Sequence, residues 1–115
     1  MQNNCYREFG NESEERAVVY LEACGFGIIE RNFYAKKMGE IDIIAQKDGV
    51  LHFIEVKSSS IHDYEPLYNI TPTKLRRIIR SAHYYLQTKK LDRAFCIDAA
   101  VVLPDSIELI ENITL

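Results

Sequence analysis

Two periods of apolar and polar residues run along this chain of 115 residues. Between residues 12 and 24, Ala17, Val18, Leu21 and Cys24 recur at helical spacing, and Gly25 supplies a stop. "FGIIERNFY" (26–34) predicts a strand, "KKMG" a turn and "EIDIIAQ" (40–46) a second strand. "KDG" is a hairpin turn signal, and "VLHFIEVK" (50–57) predicts the third strand. From Ser58 to Ile70 the chain is polar and contains Pro66, which predicts a loop long enough to ask for a functional reason. Thr71 and Pro72 suit the N-cap and first position of a helix running to about Lys90. Its apolar stripe is Leu75, Ile78, Ile79, Ala82, Tyr85 and Leu86. Two more strands follow, "AFCIDAAVVL" (94–103) and "IELIENI" (107–113), with "PDS" as the turn between them. The order α-β-β-β-α-β-β predicts an α/β fold with a central mixed five-stranded sheet flanked by helices, in one domain spanning 1–115.

Charges interrupt this pattern at four places. Side chains alternate along a strand, so Glu40, Asp42 and Ile44 share one face, and Leu51, Phe53, Glu55 and Lys57 share another. A short hairpin pairs these strands antiparallel and brings Asp42 across from Glu55, or nearly so. Glu14 falls on the apolar stripe of the first helix with Ala17, Val18 and Leu21, and Asp98 is the only charge in its strand. An uncompensated buried carboxylate costs several kcal/mol, and two neighbours also repel. Lys57 is one source of compensation and a divalent metal is the stronger one. Mg²⁺ takes oxygen ligands and is commonly held by one or two carboxylates plus a phosphate. A lysine beside such an ion positions water or stabilises charge developing on phosphate. Blander readings stand beside this one. Asp42, Glu55 and Lys57 also suit a cross-strand ion pair on a solvated face, and Glu14 suits a helix N-terminal turn through the dipole. Asp98 also suits a single buried acid tied to backbone or to an arginine.

A content of 47% hydrophobic and 27% charged residues predicts a globular chain rather than a disordered one. No apolar run approaches the roughly 20 residues of a membrane span, so no membrane partner is expected. The amino-terminal residues lack a basic stretch followed by an apolar one, and the expected location is cytoplasmic. Cys5, Cys24 and Cys96 are too few and scattered for a disulfide frame or a zinc site, and His52, His62 and His83 show no ligand spacing. The net charge of −3 disfavours generic binding to polyanions, yet residues 72–90 carry Lys74, Arg76, Arg77, Arg80, Lys89 and Lys90 with no acid. Lys74, Arg77, Arg80 and Gln87 are therefore candidate contacts to a nucleic-acid backbone, against the alternative of a solvated face. Tyr64, Tyr68, Tyr84 and Tyr85 are candidates for stacking on bases, although tyrosines usually pack.

"GEIDIIA" (39–45) and "VLHFIEVKSS" (50–59) resemble the GEIDLIA and FVEVK blocks of the YraN-like family of small uncharacterised bacterial proteins. Glu14, Ala17, Leu21, Gly25, Asn32, Lys74, Ala82, Leu86, Asp98 and Asn112 extend the resemblance over nearly the whole chain. That family is similar to the restriction-endonuclease-like superfamily with a PD-(D/E)XK motif, close to Holliday-junction resolvases. The resemblance implies Asp42, Glu55 and Lys57 as a catalytic core, with Asp42 and Glu55 holding Mg²⁺ or Mn²⁺. It implies Glu14 as the additional helix acid that resolvase-like members place near the metal. Ser13, Ser59 and Cys96 stand where the family has Gly, Arg and Arg. The expected activity is metal-dependent cleavage of nucleic acid, DNA rather than RNA, including branched or damaged DNA. A homodimer is expected for a symmetric substrate cut on two strands. The alternatives are a nucleic-acid-binding module of the same fold without turnover, and an interaction protein whose acids form a buried polar network.

Overall fold

The computed structural model describes residues 4–59 and 70–114, with side chains described from Glu12 onward. Helix α1 (Asn4–Ala23) is followed by β1 (Gly27–Tyr34), a 3₁₀ turn at Lys36–Met38, β2 (Glu40–Lys47) and β3 (Val50–Ser58). Helix α2 (Pro72–Thr88), β4 (Phe95–Val102) and β5 (Ile107–Ile110) complete the chain. The α-β-β-β-α-β-β order is therefore the one expected from the apolar pattern. Most of the loop expected over 58–70, with Tyr64 and Tyr68, lies outside the described residues.

Two elements differ from expectation in extent. Helix α1 begins at Asn4 rather than near residue 12, because the preceding turns contain no proline and only Gly10 as a weak breaker. The last strand stops at Ile110 rather than 113, because Asn112 adopts a left-handed backbone (φ 56) that ends strand pairing.

Local chemistry explains the boundaries. At the end of α1, the Phe26 N–H donates to the Leu21 carbonyl and the Gly25 N–H to that of Glu22. This closure needs the positive φ of Gly25 (96°), so glycine is the natural residue there. Thr71 caps α2 by accepting from the Lys74 N–H at 3.1 Å, and Pro72 follows where a missing N–H costs nothing. Asp48 and Gly49, both at positive φ, make the two-residue turn that sets Lys47 opposite Val50.

The sheet follows chain order, β1-β2-β3-β4-β5, and only β3 and β4 are parallel. α2 supplies the crossover between them. One sheet face packs Ile44, Leu51, Phe53 and Ile97 against Ile78, Ala82, Tyr85 and Leu86 of α2. The other packs Ile43, Ala45, Ile54, Ala100 and Val102 against Ala17, Val18 and Leu21 of α1. Covering both faces makes β4 almost wholly apolar, as its sequence indicated.

Candidate functional site

The sheet divides near its centre. Antiparallel pairing of β2 with β3 ends at Ile43 opposite Ile54. Beyond that point β2 stays with β1 as far as Glu40 opposite Tyr34, and β3 stays with β4 as far as Ser58 opposite Val102. The result is a fork with Asp42 on one prong and Glu55 and Lys57 on the other. The Asp42 carboxylate accepts the Val56 N–H at 2.8 Å, satisfying a backbone donor that the ended ladder leaves over. Asp42 thus helps to hold the fork open.

α2 roofs the fork. Met38, Gly39, Glu40, Asp42 and Glu55 line a cleft of about 510 Å³ together with Lys74, Arg77 and Ser81 of the helix. Lys74, Arg77 and Ser81 stand three and four residues apart, so one helix face carries all three over the acids. Lys74 Nζ pairs with Glu55 at 3.2 Å.

The charges in the fork act on one another. Burial, then the neighbouring charge of Glu55, pushes Asp42 up to about 7 from 3.8, and Glu14 and Glu40 add to the rise. Burial and the Lys74 ammonium lower the Lys57 pKa. Lys74 is raised, as the partner that keeps its proton toward Lys57 and faces Glu55. Of this pair, Lys57 is the one whose amine more readily gives up its charge.

Glu14 is only 8% exposed and faces the sheet, as its place on the α1 stripe predicted. Its Oε1 accepts from Arg31 at 3.1 Å and from the Asn32 side-chain amide at 3.1 Å. Two consecutive strand residues ordinarily point to opposite faces. The left-handed backbone of Asn32 (φ 54) breaks that alternation and lets both reach one carboxylate. Sequence reading did not assign Arg31; the signal was an asparagine, tolerant of positive φ, directly after it.

Other expected contacts lie elsewhere. Arg80 and Gln87 are exposed on α2 and do not line the cleft. Tyr85 is only 3% exposed and packs edge-on against Phe33 and Phe53, so it cannot stack on a base in this fold. Tyr84 is partly buried beside Phe33.

The last of the four acids has an unexpected partner. Asp98, at 0% exposure, accepts the Asn112 backbone N–H at 2.8 Å and meets His52 Nδ1 at 2.6 Å. The backbone tie is the one expected for Asp98, but its side-chain partner is a histidine rather than an arginine. His52 and Cys96, which show no ligand spacing along the chain, are brought together by the fold. His52 and Cys96 are neighbours in the β3–β4 register, and spacing along the chain cannot reveal a pairing made through a crossover.

These features define an α/β protein whose mixed sheet opens into an acidic fork flanked by lysines. The chain belongs to the uncharacterised protein family UPF0102, the YraN-like family, whose family model matches residues 13–102. A UPF0102 protein of Sulfurovum is 58% identical over 107 residues, covering 93% of this chain and 94% of that protein. One from Wolinella succinogenes is 56% identical over 109 residues, covering 95% and 98%. One from Helicobacter pylori strain P12 is 50% identical over 112 residues, covering 97% and 96%. No helix among the described residues is long and apolar enough to cross a membrane.

Proposed function

We propose that this chain is a divalent-metal-dependent endonuclease acting on DNA, branched or damaged DNA included. The observation that carries the reading is the fork, in which Asp42 and Glu55 face a common cleft beside two lysines. The donor set fits Mg²⁺ or Mn²⁺, because Asp42 and Glu55 offer carboxylate oxygens rather than thiolate or imidazole. Asp42 supports the fit further: burial, and then the charge of Glu55, raise its pKa, and a bound cation would offset both. The Lys74–Glu55 pair is no obstacle, since Lys74 is partly exposed and its flexible side chain can swing off Glu55 toward solvent or a phosphate.

Asp42 and Glu55 would hold the ion, which when bound activates water and neutralises charge on a phosphate oxygen. Lys57 would position the attacking water, its amine accepting a hydrogen bond when unprotonated. Lys74 and Arg77 would hold the phosphate from the α2 side. Glu14 would act through the electrostatics of Asp42 while Arg31 and Asn32 fix its carboxylate.

The test is a cleavage panel of linear, flapped and four-way DNA with Mg²⁺ and Mn²⁺. Lys57→Ala is expected to lose about 100- to 1000-fold in cleavage and keep metal binding by calorimetry. Asp42→Asn is expected to weaken both. A second reading, a nucleic-acid-binding module without turnover, is favoured by Lys74 already sitting on Glu55. It replaces the first if wild type and Lys57→Ala bind the panel equally and neither cuts with Mn²⁺ saturating.

A further inference from the structure

On the α1 side of the sheet, away from the fork, three different donor types converge. Parallel pairing sets His52 beside Cys96, and Asp98 lies two residues further along β4 on the same face. His52 Nδ1 stands 2.6 Å from Asp98 Oδ2 and 3.1 Å from Cys96 Sγ, and Sγ lies 3.4 Å from Asp98 Oδ1. All three residues offer a ligand atom within 4.8 Å of the others.

We propose that His52, Cys96 and Asp98 form a metal site for a thiophilic divalent ion such as Zn²⁺. Ligands about 2.0–2.3 Å from a tetrahedral ion lie about 3.3–3.6 Å apart. The sulfur contacts already approach that spacing. The His52–Asp98 contact needs to widen by less than about 1 Å when an ion replaces the proton between them.

Without an ion, the contacts suit two protons: one on His52 Nδ1 toward Asp98 Oδ2, and the Cys96 thiol's own toward Asp98 Oδ1. A single cation that replaces both protons would draw the same three groups around itself. The support is built in: the Asn112 N–H anchors Asp98 through Oδ1, and Phe26 packs edge-on against the His52 ring at 4.9 Å. Such neighbours orient ligands. Cys96 is partly exposed, which gives an ion a way in. A divalent ion is held by the thiolate, so binding must expel the Cys96 proton. Sulfur and imidazole select against Mg²⁺, so this site and the fork take different ions.

The full-length protein, stripped with chelator, is titrated with Co²⁺ and then with Zn²⁺. One equivalent of Co²⁺ should give a thiolate-to-metal charge-transfer band that Zn²⁺ removes and excess Mg²⁺ does not. Cys96→Ser should abolish the band and weaken Zn²⁺ binding by about 100-fold or more. Cys24→Ser and Asp42→Asn should retain the band. Zn²⁺ should raise the Tm of wild type and leave that of Cys96→Ser unchanged. His52→Ala, if it folds, should also lose the band; the nearly isosteric Cys96→Ser carries the test if it does not. Absence of the band in wild type overturns the proposal, as does a band that survives Cys96→Ser or is lost with Cys24→Ser.

Discussion

Asp42 shows how one carboxylate serves the backbone and the cleft together. It accepts the Val56 N–H and carries a pKa of about 7, far above its ordinary 3.8. The native chain therefore binds more protons than the unfolded one between about pH 4 and 7. In metal-free protein, stability must fall as pH rises through that window and level off above it. A shift this large has a ceiling of about 4 kcal/mol, and partial exposure of Asp42 reduces the expectation to about 1–2 kcal/mol. Asp42→Asn keeps an oxygen for Val56 and removes the charge. Urea unfolding should then find the variant more stable than wild type at pH 8 and its pH dependence flattened. A wild type more stable at pH 8 than at pH 5, with Asp42→Asn unchanged, would show Asp42 to be ionised and compensated. Asp42, Glu55 and Lys57 were legible in the sequence because strand alternation fixes their faces over a two-residue turn. Arg31 as the partner of Glu14, and His52 as that of Asp98, were not. Each of those pairs joins elements whose relative placement depends on the whole fold.

At the scale of elements, β1 is the strand whose regularity is most disturbed. Its register shifts between Ile28 and Glu30, and Asn32 then takes a positive φ. Alternation read from "FGIIERNFY" finds the strand but not the break, because an asparagine in a strand does not announce which backbone region it occupies. The break has a use, since it delivers Arg31 and Asn32 to a helix carboxylate on the same side. Asn32→Gly keeps the backbone and loses one hydrogen bond, an expected cost of about 1 kcal/mol. Asn32→Val adds a branched side chain in a conformation it resists, and should cost about 2–4 kcal/mol in all. Urea midpoints for the pair test this order; equal losses would mean that the hydrogen bond, not the backbone, sets the cost. The element boundaries that sequence reading located best are those with capping chemistry, Thr71-Pro72 before α2 and Gly25 after α1. The poorest are the start of α1 and the end of β5, where the apolar pattern itself fades.

For the whole molecule, charge is unevenly placed: a chain of net charge −3 sets the acid-free α2 segment over the acidic cleft. On the proposed function, binding of DNA should be local and strongly dependent on salt. Lys74→Ala and Arg77→Ala, both at the cleft, should each weaken binding across sequences and reduce the salt slope by about 1. Arg80→Ala, outside the cleft, should do less. Fluorescence anisotropy at several salt concentrations measures this, and an Arg80 effect equal to the others would place the contact on the outer helix face. The fork has a different consequence, in the exchange of backbone amides with solvent. Amides in the paired part of β2 and β3, up to Ile43 and Ile54, should exchange only by global opening. The Val56 N–H is held by a side chain rather than by a neighbouring strand's carbonyl, so its protection should be lower and should change as Asp42 titrates near pH 7. The same central strand would then contain a slow and a fast amide two residues apart, and the fast one would report directly on the charge state of the cleft.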